Sequence, residues 1–285
     1  MHRSPKRAAV LTIINLKGGV GKTHASWLLA SVCQQRGRRV LLIDLDTQAN
    51  ITGSFMDEDD GQPRVDALFH PGADANPLPL VRRTRYEHID VIPSSAALAR
   101  YDESNQKTWE RADLHLSLVD AVEALRPEYD FIVFDCPPRL SLVSFAALCA
   151  SDHVIIPMEA ADWGAQGIMQ VTEAIRYVQQ RFNAKLNLLG YLVSRFKRAR
   201  AYQQTYLAQL RKHFGALAFD TVLPDLAQFE KSVTDRIPIT LHAPASEEAA
   251  IARRFFDEID RRVQERSGGH ARRTAHVRRR AVAAA

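Results

Sequence analysis

The sequence predicts an α/β fold in which a doubly wound, mostly parallel sheet carries helices on both faces. Three observations support this class. Short apolar runs, typical of strands buried on both faces, alternate along the chain with segments of helical periodicity. A glycine-rich loop joins the first apolar run to the first helical segment, and acidic residues follow two later runs. The 285 residues suffice for one large domain, and no linker rich in proline and glycine divides them.

The first strand is predicted over residues 8–14, which read AAVLTII. Apolar residues at helical spacing from Ala25 to Val32 predict the first helix, which is expected to end before Gly37. Between them, residues 16–23 read LKGGVGKT. Backbone N–H groups of such a loop can surround phosphate oxygens, and the following helix adds its positive N-terminal end. The order of strand, glycine loop and helix therefore predicts a nucleotide phosphate site.

Two side chains of this loop are suited to nucleotide chemistry. Lys22 is placed to neutralise the β- and γ-phosphates, and the Thr23 hydroxyl to hold Mg²⁺. Leu16 stands where the common G-x-x-x-x-G-K-[ST] pattern has its first glycine, and Lys17 follows it. A second cation is more than one nucleotide needs beside Lys22. The alternatives are a glycine-rich turn that contains lysine by chance, and a solvated Lys17.

Two further strands end in acidic residues. Residues 40–43 are a buried-strand run that continues into Asp44 and Asp46, and residues 131–134 are another run that ends in Asp135. Carboxylates can anchor Mg²⁺ through its water ligands or accept protons from an attacking water. All three loops follow strand carboxyl ends, where open α/β sheets bind ligands. The remaining strands are predicted at 89–93, 152–157, 186–193 and 218–223, and the remaining helices at 114–125, 163–181, 202–214 and 247–263.

These segments resemble the ParA/MinD family of deviant Walker A ATPases, and most closely the small, Soj-like partition ParA proteins. The family commonly has D-x-D-P-Q-G-N where residues 44–50 read DLDTQAN, and D-C-P-P matches residues 135–138. The resemblance runs from about residue 9 to about residue 260. It implies a sheet of the P-loop NTPase type, with ATP and Mg²⁺ as ligands.

The resemblance also implies roles for individual residues. Lys17 would reach the nucleotide of a partner subunit, so that ATP binding produces a homodimer. Asp46 would place the attacking water, and Asp135 would lie in the magnesium shell. The implied catalytic residues are Lys17, Lys22 and Asp46; the implied metal residues are Thr23, Asp46 and Asp135. The implied nucleotide contacts are Lys17, Gly18, Gly19, Val20, Gly21, Lys22, Thr23, His24, Asp44 and Pro224.

The net charge of +5 is unevenly distributed. We divide the chain into a basic arm at 1–8, one ATPase domain at 9–265, and a basic tail at 266–285 that its composition predicts to be disordered. Residues 174–219 contain no Asp or Glu. Such a surface can bind the phosphate backbone of DNA without reading its sequence, although a solvated helical face is the alternative. The expected DNA contacts are Arg195, Lys197, Arg198, Arg200, Arg211 and Lys212.

The resemblance then implies a cytoplasmic, nucleoid-associated partition ATPase. It would hydrolyse ATP weakly alone and faster with a ParB-like centromere-binding partner, and it would bind nonspecific double-stranded DNA in the ATP state. Membrane association is not expected, because Val277 and Val282 are the only sizeable apolar residues after Val263. One alternative is the positioning of a protein cargo on the nucleoid, and another is a MinD-like regulator on the membrane. A cluster carrier like the nitrogenase iron protein is disfavoured, since Cys136 is a poor cluster ligand.

Several positions depart from the family pattern. His24 stands where Thr or Ser is usual, which bears on the α-phosphate contact. Thr47 and Ala49 replace Pro and Gly. Arg139 stands where a serine is common, and Asp225 where many small ParA proteins have a DNA-contacting arginine. None of these changes removes the lysines, the threonine or the aspartates of the expected site.

Overall fold

The computed structural model describes residues 7–56, 60–70, 76–101, 114–160 and 166–282, with side chains described up to residue 266. Seven strands form one sheet. They are β1 (Ala9–Ile13), β2 (Val40–Asp44), β3 (Arg82–Arg83), β4 (Ile89–Ile92), β5 (Phe131–Asp135), β6 (His153–Glu159) and β7 (Asn187–Ser194). The helices are α1 (Lys22–Gln35), α2 (Asn50–Phe55), α3 (Ser117–Leu125), α4 (Leu142–Ala150), α5 (Gln166–Arg181), α6 (Ala201–Phe214), α7 (Ala227–Thr234), α8 (Ile239–His242) and α9 (Glu247–Val282).

The sheet has the strand order β3-β4-β2-β5-β1-β6-β7, and every pair is parallel except β3 with β4. Strand β1 lies between β5 and β6, with Ala9 opposite Phe131 and Leu11 opposite His153. Strand β2 pairs with β5 on the other side, so that Asp44 lies opposite Asp135. The three predicted ligand loops therefore leave adjacent strands at one edge of the sheet.

Helices cover both faces of the sheet because alternate strand residues point in opposite directions. On one face, Leu11 of β1 belongs to a buried cluster with Trp27 of α1 and Phe255 of α9. On the other face, Val10 belongs to a second cluster with Phe145 of α4 and other residues of α3 to α5. The predicted doubly wound, mostly parallel α/β fold is confirmed.

The prediction of a strand at 218–223 is wrong. This segment forms only isolated bridges, Tyr191 with Ala218 and Phe196 with Pro224. Between the bridges, the N–H groups of Asp220 and Thr221 each donate to the carboxylate of Glu258 at 2.8 Å. A side chain of α9 thus accepts the hydrogen bonds that a neighbouring strand would otherwise accept.

Helix α9 is described through Val282. The division into an ATPase domain at 9–265 and a basic, disordered tail at 266–285 stays a prediction. The arm residues 1–6, the tail residues 283–285 and the start of the helix predicted at 163–181 lie outside the described residues. Among the described helices, none is long and apolar enough to cross a membrane.

Candidate nucleotide site

The phosphate loop occupies the edge at which β1 ends and α1 begins. Two of its residues need glycine, because Gly19 and Gly21 have φ angles of 75° and 83°. A Cβ atom on Gly21 would also lie 3.2 Å from the Ser194 hydroxyl oxygen. The loop can therefore lie directly against the end of β7. Its conformation is the one that leaves backbone N–H groups available for anions at the start of a helix.

Lys22, Thr23 and Asp135 form the centre of the site. The Lys22 ammonium donates to the Lys17 carbonyl at 3.1 Å, and burial lowers the pKa of Lys22. The Thr23 hydroxyl donates to Oδ2 of Asp135 at 2.7 Å. The Ser26 hydroxyl donates to Oδ1 of the same carboxylate at 3.2 Å. Helix α1 and strand β5 thus bring together the lysine, hydroxyl and carboxylate that the sequence predicts.

Asp135 has a second buried carboxylate, Asp44, at the opposite position on the neighbouring strand β2. Burial, followed by the nearby charge of Asp44, raises the pKa of Asp135 to about 7. Burial raises the pKa of Asp44 to about 6. Both oxygens of Asp44 accept hydrogen bonds, from the Thr52 N–H and hydroxyl at 2.8 Å and from the Asp46 N–H at 3.2 Å. Asp44 therefore organises the segment after β2 and is not one of the residues that line the cavity; its predicted contact with the nucleotide stays a prediction.

The segment after β2 places Asp46 in the cavity wall. Oδ1 of Asp46 accepts a hydrogen bond from the Gln48 N–H at 3.0 Å, and its carbonyl accepts one from the Ser94 hydroxyl at 2.7 Å. Ala49, which replaces the family's glycine, keeps a left-handed conformation with φ 53°. The bend that glycine normally permits is therefore retained at some cost in backbone strain.

An open cavity of about 630 Å³ connects these groups, and its volume suits a nucleotide. It is lined by Gly18, Gly19, Gly21, Lys22, Thr23, His24, Trp27, Asp46, Gln48, Asn50, Ser54, Pro138, Arg195, Pro224, Asp225, Leu226, Phe229, Glu230, Val233 and Thr234. Most predicted nucleotide contacts thus meet in one place. Val20 is buried and lies outside this lining, as does Lys17. The wall formed by α7 was missed, because neither α7 nor Phe229 carries a sequence motif.

Lys17 extends from the loop towards β6. Its ammonium lies 3.4 Å from Oε2 of Glu159, and both side chains are partly exposed. Its backbone N–H donates to the Asn15 side chain at 2.9 Å. The second lysine of the loop therefore lies at the surface, beside the cavity that Lys22 enters.

His24 belongs to the part of the cavity that lies beyond the lysine and threonine. Its ring packs edge-on against Phe229, with the centroids 4.7 Å apart. Burial lowers the pKa of His24 to about 4, so the imidazole is neutral at pH 7. Nε2 is buried and has no hydrogen-bond partner among the described residues. An imidazole thus replaces the small hydroxyl that the family usually has here.

The donor set fits magnesium. Thr23 and Asp135 present oxygen atoms 2.7 Å apart. Thr23 and Asp46 line the cavity, whereas Asp135 is buried and is not one of its lining residues. No group of three or more His, Cys, Asp or Glu side chains within the described residues could hold a metal ion by itself. Mg²⁺ prefers oxygen and commonly binds through one or two carboxylates while keeping several waters, so a sparse oxygen set suits it.

Comparisons with known proteins agree with this geometry. The family described as AAA domain matches residues 8–188. The sporulation initiation inhibitor protein Soj of Bacillus subtilis is 32% identical over 244 residues, which cover 85% of this chain and 94% of Soj. The chromosome-partitioning ATPase Soj of Thermus thermophilus is 31% identical over 264 residues, 90% of this chain and 96% of that protein. The chain belongs to the ParA/MinD family of partition ATPases.

Solved structures share the fold of this ParA/MinD family member. Cobyrinic acid a,c-diamide synthase from Mycobacterium smegmatis, with bound ADP and magnesium, is 27% identical with a TM-score of 0.72. The match covers 88% of this chain and 93% of that one. An ATP complex of McdA from Cyanothece has a TM-score of 0.77 at 20% identity, with coverage of 91% and 97%. At that identity the likeness to McdA concerns the fold alone.

The residues expected to contact DNA do not form one uniform surface. Arg195 lines the nucleotide cavity. Lys197 forms an ion pair with Asp225 at 3.1 Å, and Arg198 forms one with Glu247 at 3.0 Å. Charge composition could not reveal these pairings, because their acidic partners come from distant parts of the chain.

The remaining expected DNA contacts lie on or next to α6. The Arg200 guanidinium donates to the Tyr202 hydroxyl at 2.9 Å, and the Arg211 guanidinium donates to the Asp220 carbonyl at 2.9 Å. Neither bond neutralises the arginine, and both side chains are exposed. Lys212 is exposed in the last turn of α6. Of the six expected contacts, Arg200, Arg211 and Lys212 lie on or next to α6 and form no ion pair with a carboxylate among the described residues.

Proposed function

We propose that this chain is a dimerising partition ATPase that binds nonspecific double-stranded DNA in its ATP state. With a ParB-like partner it segregates plasmid or chromosomal DNA in the cytoplasm. One observation carries the proposal. A surface lysine, Lys17, adjoins a complete phosphate and magnesium constellation formed by Lys22, Thr23 and Asp135. The similarity to Soj over most of both chains supports the same conclusion.

Different residues of the site have different roles in the binding of ATP. The loop N–H groups and Lys22 bind the phosphates, and Thr23 and Asp135 hold Mg²⁺ with its waters. When bound, Mg²⁺ neutralises charge on the β- and γ-phosphates. Asp46 accepts a hydrogen bond from the attacking water and orients it, while the surrounding wall limits the access of other water.

The position of Lys17 supports pairing between subunits. Its ammonium is partly exposed, and its contact with Glu159 is a surface ion pair of a kind worth only about 0–1 kcal/mol. Exchanging the Glu159 contact for the phosphates of a partner's ATP would give up only this weak ion pair. ATP would then contribute contacts to two subunits, which makes dimerisation depend on the triphosphate.

The exposed face of α6 supports binding to DNA. The six expected contacts fall in a segment without acidic residues, and Arg200, Arg211 and Lys212 are not paired with carboxylates in the described part of the chain. Phosphate contacts of this kind release counterions, so the logarithm of the binding constant should fall linearly with the logarithm of salt concentration. Pairing two subunits would double the number of such contacts, so that DNA binding would depend on ATP.

The test is binding to a nonspecific duplex with ATP, with ADP and without nucleotide, over a series of salt concentrations. We expect tight, salt-sensitive binding with ATP only. Arg200→Glu combined with Lys212→Glu should weaken binding to every sequence, and the salt slope should fall by about one for each phosphate that the variant no longer neutralises. Arg100→Glu, an exposed single charge reversal beyond β4 near the opposite edge of the sheet, is the control for a change in net charge.

The outcomes separate the parts of the proposal. Absence of DNA binding in every nucleotide state would identify the basic segment as a solvated face and remove the DNA scaffold. An equal loss with Arg100→Glu would show that net charge acts rather than the α6 face. Partner stimulation is tested by ATP turnover with and without a ParB-like protein, and a partner that leaves turnover unchanged would contradict that element.

A further inference from the structure

The segment between β2 and α2 forms one wall of the nucleotide cavity. Asp46, Gln48 and Asn50 all line this cavity. Residues 45–49 belong to neither a strand nor a helix, and Ala49 has a φ angle of 53°, which residues with a Cβ atom rarely adopt. The position of this wall therefore depends on hydrogen bonds that neighbouring elements make with it.

Ser94 holds the segment at its beginning and at the helix that follows it. Strand β2 pairs with β4, with Ile43 opposite Ile92, so the chain that leaves β4 lies beside the chain that leaves β2. The Ser94 hydroxyl donates to the Asp46 carbonyl at 2.7 Å, and the Ser94 N–H donates to the Thr52 hydroxyl at 2.8 Å. Ser94 is 1% exposed, so water does not compete for these bonds. One residue of the neighbouring strand end thus joins both ends of the segment.

The bond from Ser94 helps to fix the backbone of Asp46. The Asp46 carbonyl accepts a second hydrogen bond from the Ala49 N–H at 2.8 Å, and the Asp46 N–H donates to Oδ1 of Asp44 at 3.2 Å. Because peptide groups are planar, fixing the carbonyl and the N–H of a residue sets the direction in which its Cβ atom leaves the chain. Of these three bonds, the one from Ser94 comes from a different strand.

The hydroxyl of Ser94 has no second hydrogen to offer to a nucleotide. A serine hydroxyl carries one hydrogen, and that of Ser94 is used on the Asp46 carbonyl. Ser94 can therefore affect a reaction through the residue that it holds. A group that orients a reacting water must be placed accurately, since a displacement of about 1 Å can lower a rate about 100-fold.

We propose that Ser94 is a positioning residue for ATP hydrolysis, which holds Asp46 where its carboxylate orients the attacking water. The inference rests on the role proposed for Asp46 and names what keeps that residue in place. Without the Ser94 hydroxyl, the Asp46 carbonyl retains its bond from the Ala49 N–H, so the fold remains while the segment gains freedom. The phosphate loop and Lys22 follow a different strand, so the affinity for ATP should be retained.

The experiment separates the rate of hydrolysis from the affinity for ATP. Hydrolysis is measured with protein in excess over ATP, affinity by calorimetry, and stability by urea unfolding, all with Mg²⁺. The variants are Ser94→Ala and Ser94→Cys, in which the thiol keeps the shape of the side chain but is a weaker donor. The matched control is Ser31→Ala. Ser31 is 0% exposed and its hydroxyl donates to the Trp27 carbonyl at 2.8 Å, so the control removes the same kind of buried bond away from the segment.

We expect Ser94→Ala to hydrolyse ATP about tenfold more slowly, which is the rate equivalent of about one hydrogen bond. Its affinity for ATP should change by less than about threefold. Ser94→Cys should lie between Ser94→Ala and the wild type. Ser31→Ala should lose stability but hydrolyse ATP at the wild-type rate. In an Asp46→Asn background, Ser94→Ala should cause no further loss, because the carboxylate that it positions is already absent.

Three results would overturn the inference. They are an unchanged rate in Ser94→Ala, an equal loss of rate in Ser31→Ala, and a tenfold loss that recurs in the Asp46→Asn background. An equal loss of affinity and rate in Ser94→Ala would also count against it, because general damage to the cavity would then explain both. Wild-type hydrolysis by Asp46→Asn alone would instead contradict the role proposed for Asp46.

Discussion

Replacing Asp135 with asparagine should stabilise the nucleotide-free protein while removing its function. Asp135 is 1% exposed and lies opposite Asp44, which is 0% exposed, on the neighbouring strand. Burial and the Asp44 charge raise the pKa of Asp135 from 3.8 to about 7. The folded state therefore holds the proton more tightly than the unfolded state. The stabilisation that protonated Asp135 contributes to the folded state is fully present below pH 3.8, and it is lost as the pH rises towards 7.

The magnitude follows from the difference between the two pKa values. Each pKa unit corresponds to about 1.4 kcal/mol, so ionised Asp135 costs the folded protein about 4 kcal/mol at pH 8. Asparagine removes this cost and can still accept the Thr23 hydrogen bond. The gain in the free energy of unfolding is at most about 4 kcal/mol. The variant also removes the attraction between the Asp135 carboxylate and the Lys22 ammonium, and this loss offsets part of the gain. Between pH 5.5 and pH 8, the advantage of Asp135→Asn should grow by about 2 kcal/mol.

The assay is urea unfolding of the wild type and Asp135→Asn without nucleotide at several pH values. Asp220→Asn, whose side chain is 86% exposed, is the control and should show no such trend. Magnesium-dependent ATP binding should be lost in Asp135→Asn. The reasoning is refuted if Asp135→Asn is no more stable than the wild type at pH 8, or if the difference between them does not increase with pH.

Three further predictions concern the loop. Lys22→Ala should abolish ATP binding in calorimetry, because the buried ammonium is the cation that enters the cavity; affinity close to the wild type would contradict the site. Lys17→Ala should bind ATP but lose ATP-dependent dimerisation in light scattering, and an unimpaired dimer would show that Lys17 has no role between subunits. Because burial lowers the pKa of His24 from 6.5 to about 4, the unfolded state binds more protons in that window and stability falls as the pH falls through it. His24→Asn should therefore lose less stability than the wild type between pH 7 and pH 5. An equal loss of unfolding free energy in the two proteins over this range would contradict the prediction.

The centre of the site could be predicted from the sequence because its signals are local. The loop motif, and strands buried on both faces such as Phe131–Asp135, are readable from a few consecutive residues. The shape of a parallel sheet then brings the ends of β1, β2 and β5 together without further information. Lys22, Thr23 and Asp135 were predicted as a group for this reason.

What could not be predicted depends on contacts between distant segments. The 218–223 segment is apolar enough for a strand, but Glu258 accepts its central hydrogen bonds. Arg195 resembles its basic neighbours in composition, yet one backbone angle directs it to the nucleotide cavity. Phe229 lies in the cavity wall because α7 packs there, and no motif marks that helix. The direction in which a side chain points and the group with which it pairs depend on the folded structure, so they cannot be read from a few consecutive residues.

The central position of β1 has a consequence for synthesis on the ribosome. Ala9 pairs with Phe131 and Leu11 with His153, so both neighbours of β1 emerge long after it. Contacts so distant in sequence carry a large loop-closure cost and form slowly. Until β5 and β6 have been made, the nascent chain has an apolar strand with no partner and a phosphate loop with no supporting wall. The nascent chain therefore gains its nucleotide site only after β5 and β6 have been made.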